Sequence, residues 1–228
     1  MNKNGNESSI YDKEVVCPVC DTSFTVTRVK SRTFKVASRD SDFCTHYEGT
    51  NPLLYEVWVC EHCGYASLED SFEEIGFKDA KKIKMEIEPK WTKRSFAGER
   101  TIDTALEAFK LALYNLQVRK APSSEFAKIC LRIAWLYRYK GDVEEERRFL
   151  GFALKNYSEA YQNERFPLDK LDEYGLLHTG SARSQEERDR VLIVEKNDIK
   201  AGILAYTYGT NGMEVTIPKD KLPYMVNY

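Results

Sequence analysis

The chain has 228 residues with 34 Lys and Arg against 36 Asp and Glu, a formal net charge of −2. That length fits one large domain or two small ones, and the charge balance excludes a globally cationic nucleic-acid binder. No apolar run reaches the ~18 residues that would span a bilayer, and the opening MNKNGNESSI lacks the apolar centre of a secretory signal, so a cytoplasmic, reducing setting is expected.

In chain order, residues 1–10 read as a polar, disordered tail, and 11–75 as a small strand-rich module. Thr22–Val29 alternates through Phe24 and Val26. Thr33–Val36 is a possible pairing partner for it, and Asn51-Pro52 introduces a strand over Leu53–Val59. The texture then turns helical over 76–170. A short helix is predicted over 77–88, stopped by Pro89. A second runs from 101 to 118 on the stripe Ile102, Ala105, Leu106, Phe109, Leu113 and Leu116. Pro122-Ser123 opens a third, with Phe126, Ile129, Cys130, Ile133, Ala134 and Tyr137 on one face. After Lys140-Gly141, Asp142 is the expected N-cap of a fourth, whose inward face holds Val143, Leu150, Ala153, Tyr157 and Tyr161. The run WLYRYKGD at 135–142 looks like the first-helix exit of a tetratricopeptide repeat, a unit of about 34 residues that occurs in arrays. Residues 171–228 form a strand-like extension, with strands at 190–194 and 202–208, a turn at Gly209–Gly212 and a closing strand at 213–217. The fold class is α+β: a zinc-ribbon-like β module, a tetratricopeptide-like helical hairpin and a C-terminal β-hairpin.

The strongest chemical signal is Cys17-Pro18-Val19-Cys20 with Cys60-Glu61-His62-Cys63. Each C-x-x-C turn supplies two thiolates to one edge of a tetrahedron, which is how structural Zn2+ is held; iron is the alternative for the same donor set. Gly64 lets the chain turn after the last cysteine, and Phe24 and Tyr65 are placed to cover the metal. The 21–59 gap is longer than in the simplest double C-x-x-C pattern and must hold a hairpin and a loop. Disulfides fit an exported chain, and a redox C-x-x-C fits a helix start; neither context is present in the sequence.

Other residues carry weaker signals. Cys44-Thr45-His46 lies in a loop and reads as packing before it reads as a thiol–imidazole pair without an assignable carboxylate, or as a fifth metal ligand. Cys130 reads as a buried hydrophobe, His62 as pointing outward, and His178 as isolated. Arg28, Lys30, Arg32, Lys35 and Arg39 form a basic stretch that could track phosphates, although a solvated strand face is the expected reading; Lys78 to Arg94 form another, diluted by Asp79, Glu86 and Glu88.

CPVC at 17–20, DSDFCTHYEGTNPLLYEVWVCEHCGYA at 40–66, IEPKW at 87–91, ERTIDTALEAFKLAL at 99–113 and QNERFP at 162–167 resemble an uncharacterised bacterial family, common in Gram-positive lineages and catalogued as a domain of unknown function. The resemblance implies a cytoplasmic protein with an N-terminal metal-binding module and a tetratricopeptide-like tail, and no known activity. It also implies a further helix pair after position 175, where this sequence has GLLHTGSARSQEERD. The expected function is a non-enzymatic, zinc-binding interaction module for a protein or peptide. A groove lined by Tyr114, Asn115, Arg132 and Arg138 is the expected recognition surface. A nucleic-acid-binding ribbon and a thiol or redox enzyme are the alternatives.

Overall fold

The computed structural model describes residues 8–163, 171–180, 182 and 184–205. The chain forms two compact units, Met1–Glu164 and Arg165–Tyr228.

In the first unit, strand β1 (Ile10–Val16) pairs antiparallel with β2 (Ser23–Val29). Ile10, placed in the expected tail, therefore already belongs to a strand. Two expected pairings are corrected. Residues 33–36 do not pair with 22–29: a 3₁₀ turn at Ser31–Thr33 breaks the chain after β2, and β3 (Phe34–Arg39) pairs with β4 (Thr45–Gly49). The tight turn between them explains this, because Asp40 N donates to Cys44 O at 2.8 Å while Phe43 takes a φ of 67°. Nor do residues 53–56 extend a strand. Asn51 accepts from Leu53 N at 3.0 Å and opens a 3₁₀ turn over Pro52–Tyr55, which leaves β5 (Val57–Val59) to pair with β6 (Ala66–Leu68).

The helices follow the apolar periodicity closely. They are α1 (Phe77–Glu86), α2 (Ile102–Arg119), α3 (Ser123–Lys140) and α4 (Val143–Asn163). The Thr101 hydroxyl caps α2 by accepting from Thr104 N, Gly141 ends α3 at a φ of 77°, and Asp142 Oδ1 accepts from Glu145 N at 3.2 Å as an N-cap should. The inward stripe expected on α4 is rotated. Phe149 and Ala153 are buried, whereas Val143 and Tyr157 are exposed. At about 100° per residue, Val143 and Tyr157 share the outer face with Leu154, which is 70% exposed.

The pair β5–β6 lies between two cores. Val57, Val59, Ala66 and Leu68 pack on Leu106, Phe109, Ile129 and Ile133 of α2 and α3. Trp58 and Tyr65 pack with Val15, Phe24, Val26, Phe72 and Ile83. A strand covered on both faces needs no polar alternation, which is why VWV is apolar throughout.

In the second unit, the short helix α5 (Gln185–Asp189) precedes a hairpin of β7 (Leu192–Lys196) and β8 (Ile199–Ile203). Asn197 and Asp198 turn it, with φ values of 52° and 62°. This C-terminal hairpin differs in position from the expected one: it joins 192–196 to 199–203, whereas the expected hairpin joined 202–208 to 213–217. The expected turn at 209–212 and strand at 213–217 lie outside the described residues. No second helix pair follows position 175 among the described residues. No described helix is long and apolar enough to cross a membrane.

Candidate metal centre

The two C-x-x-C sequences occupy the tips of two hairpins built to one plan. In the first tip, between β1 and β2, Cys17 N donates to Thr22 O at 3.1 Å and Asp21 N donates to Cys17 O at 2.9 Å. In the second, between β5 and β6, Cys60 N donates to Tyr65 O at 2.8 Å and Gly64 N donates to Cys60 O at 3.0 Å. The residue after each pair takes a left-handed conformation, Asp21 at 57° and Gly64 at 75°. Aspartate is among the few non-glycine residues that do so readily.

The four sulfur atoms all lie within 4.8 Å of one another. Cys17 Sγ and Cys63 Sγ are 3.6 Å apart, and Cys20 Sγ and Cys60 Sγ are 3.7 Å apart. Four sulfurs at about 2.3 Å from a tetrahedral ion would sit about 3.8 Å from each other, so the tetrad fits a metal and is too open for disulfides. All six cysteines are free. Among bare thiols, hydrogen bonds from Cys17 and Cys63 pull Cys60 well below the ordinary thiol range. Cys17 is pushed up to about 12, first by its hydrogen bond to Cys60 and then by burial, and Cys63 is raised by its bonds to Cys17 and Cys60. Such a cluster strains to hold more than one negative charge until a cation supplies compensation. The cysteine tetrad could therefore hold a metal ion.

Apolar cover is as the sequence suggested, and more. Phe24 and Tyr65 are buried, and both rings pack on Phe72, at centroid distances of 5.8 and 4.8 Å. Two further residues lock the second tip: Trp91, which sequence reading left without a role, and Asn115, which it placed in the expected groove. The Trp91 indole donates to Glu61 O at 2.8 Å and lies so close over Gly64 that a Cβ there would meet Trp91 Cδ2 at 2.6 Å. Buried Asn115 of α2 donates from Nδ2 to Gly64 O at 3.2 Å.

Residues 10–201, which take in both tips, the helices and most of the C-terminal hairpin, match the sequence model of a family described as an uncharacterized protein conserved in bacteria, DUF2225. The chain belongs to the DUF2225 family. No curated protein and no solved structure matches it.

Elsewhere in this DUF2225 chain, the structure supplies what the loop at 40–46 lacked in sequence. Asp40 Oδ2 lies 2.9 Å from His46 Nε2, and Asp40, Cys44 and His46 bring donor atoms within 4.8 Å of one another. They form a group separate from the tetrad, so Cys44 is not a fifth ligand. Cys130 is buried in the helical core as expected. His62 Nε2 lies 3.3 Å from Glu61 Oε1 and stays outside the sulfur cluster. His178 pairs with Asp172 at 3.2 Å.

The groove expected between α2 and α3 is corrected. Asn115 points into the second tip, Arg132 Nε pairs with Glu56 at 2.5 Å, and Arg138 is bound to Asp40, Asp42 and Glu146. Only Tyr114 of the four is exposed; the others are engaged by the second tip, by Glu56, by the β3–β4 turn and by α4. The basic stretches are partnered by acids: Arg28 pairs with Glu69, Lys35 stands opposite Glu48, Arg94 pairs with Glu107, and Lys82 pairs with Asp79 of its own stretch.

Proposed function

We propose that Cys17, Cys20, Cys60 and Cys63 hold one structural Zn2+ ion, and that the chain is a zinc-stapled interaction module of the zinc-ribbon-like kind. The observation that carries the metal reading is the convergence of four sulfurs at tetrahedral spacing on two matched tips. A closed four-thiolate shell leaves no coordination position for substrate, so the ion serves as a staple between hairpins and not as a reaction centre.

Support for the interaction role comes from α4. Its outer stripe of Val143, Leu154 and Tyr157 is exposed on the helix where a tetratricopeptide-like array would continue. A peptide or protein partner with an apolar helix face is the matching ligand chemistry.

The metal reading is tested by elemental analysis of protein purified without added metal, compared with Cys60→Ser. One zinc equivalent is lost in the variant. Iron in place of zinc, or zinc content unchanged by the substitution, would refute it. The interaction role is tested by Leu154→Asp. This exposed change leaves the fold and metal content intact and abolishes capture of the partner that the wild-type chain captures; retained capture contradicts the role given to α4.

A further inference from the structure

The second cluster, Asp40–Cys44–His46, sits on a different hairpin from the tetrad and has a different donor set. The β3–β4 turn makes it. Asp40 and Cys44 close the turn through the bond from Asp40 N to Cys44 O, and Phe43 N donates back to Asp40 O at 3.0 Å. His46 follows Cys44 by two residues on an extended segment, so both side chains leave the same face, toward Asp40. Cys44 is fully buried at the base of the cluster, while the His46 and Asp40 side chains are 36% and 37% exposed at its mouth.

Helix α3 holds this arrangement rigid. Arg138 Nη1 binds Asp40 Oδ2 at 2.7 Å, and Arg138 Nη2 binds Asp42 Oδ2 at 2.8 Å. The Trp135 indole donates to Asp42 Oδ2 at 3.1 Å, and Asp42 Oδ1 accepts from Cys44 N at 3.3 Å. Tyr139 donates its hydroxyl hydrogen to Thr45 O, the carbonyl between the two ring-and-thiol donors, and its oxygen lies 3.6 Å from Cys44 Sγ. Packing alone accounts for a buried Cys44. It does not account for an imidazole and a carboxylate converging on that sulfur, with the carboxylate held by Arg138 and the thiol by Tyr139, which is a pattern of ligands with outer support.

We propose that Asp40, Cys44 and His46 form a second Zn2+ site, with one thiolate, one imidazole and one carboxylate as ligands and a fourth position open to solvent. Arg138 and His46 Nε2 both engage Asp40 Oδ2, which leaves Asp40 Oδ1 and His46 Nδ1 as the donor atoms for the ion. Three protein ligands of mixed type with an exchangeable fourth position distinguish it from the closed tetrad. The site does not depend on the tetrad reading.

The test uses the full chain, loaded with Zn2+ and freed of excess metal. Wild type holds two zinc equivalents, Cys44→Ser and His46→Gln each hold one, and Cys60→Ser loses the other. Equal zinc in wild type and in both Cys44→Ser and His46→Gln overturns the second site. A change confined to those two variants, with Cys60→Ser unaffected, upholds it while refuting the tetrad. Should a variant fold poorly, Co2+ titration of the wild-type chain decides the matter. Two stages are expected, one with intense four-thiolate charge transfer and one with the weaker band of a single thiolate. A titration that shows only the four-thiolate band, with no single-thiolate band at any ratio, overturns the proposal.

Discussion

The two C-x-x-C tips share one backbone plan but differ in what holds them. The second is gripped from outside by Trp91 on Glu61 O and Gly64, and by Asn115 on Gly64 O. The first makes its tip hydrogen bonds within residues 17–22. Its hairpin is anchored farther back, where Gly98 N donates to the Thr27 hydroxyl at 2.6 Å and Val15, Phe24 and Val26 enter the core. The difference shows how a metal can be used. One tip is preformed on the helical body, and an ion held by the four sulfurs would fasten the other tip to it.

Metal removal should expose this asymmetry most strongly, since structural zinc contributes about 10 kcal/mol or more of apparent binding free energy in small sites. After chelation, amide exchange should accelerate across residues 15–24, while 59–66 and α2 keep most of their protection. Equal loss at both tips would break the comparison. Gly64→Ala comes next. It places a side chain at positive φ and drives Cβ into the Trp91 ring, so a stability loss of about 2–4 kcal/mol in denaturant unfolding is expected. A cost below about 1 kcal/mol would show that Trp91 yields and does not lock the tip.

Arg138→Ala tests the third hairpin. It leaves Asp40, Asp42 and Glu146 without their shared cation, and about 2 kcal/mol should be lost, with faster exchange confined to 34–49 and the α3–α4 corner. Exchange unchanged over 34–49 would mean that the β3–β4 hairpin is held by other contacts. Asn115→Leu should have the smallest effect, about 1 kcal/mol. The bond to Gly64 O disappears, but so does the buried Asn115 Oδ1, which has no hydrogen-bond partner. A larger loss would mean that this one bond holds more of the second tip than Trp91 does.

Much of the α-helical half was legible because its signals are local. The α2 and α3 stripes repeat at helical spacing, and Gly141-Asp142 marks a corner by chemistry that needs no distant partner. The cysteine tetrad was legible for the same reason: ligand type and the C-x-x-C spacing are written in short stretches. Strand pairing was not. Strand β1 reads IYDKEVV and buries only Val15, so it shows no alternation, and its partner is fixed by the cysteine tip between them. The α4 stripe was misplaced because Val143, Leu150 and Tyr157 form as regular a series as the buried Phe149 and Ala153, and burial is decided by α3 rather than by periodicity. Trp91 and Asn115 could not be tied to Gly64 from sequence, since they lie 27 and 51 positions beyond it and act only once α2 is packed. The Asp40–His46 partnership was within reach, six residues apart, but only the turn at Phe43 brings the two together.

The claim that two hairpin tips close on one ion is tested most directly by zinc K-edge X-ray absorption of the Cys44→Ser chain, in which the tetrad alone retains its full set of sulfur ligands. The account predicts a single shell of four sulfurs at about 2.3 Å and no nitrogen or oxygen neighbours. A shell of mixed sulfur and lighter atoms, or no bound zinc at all, would contradict it.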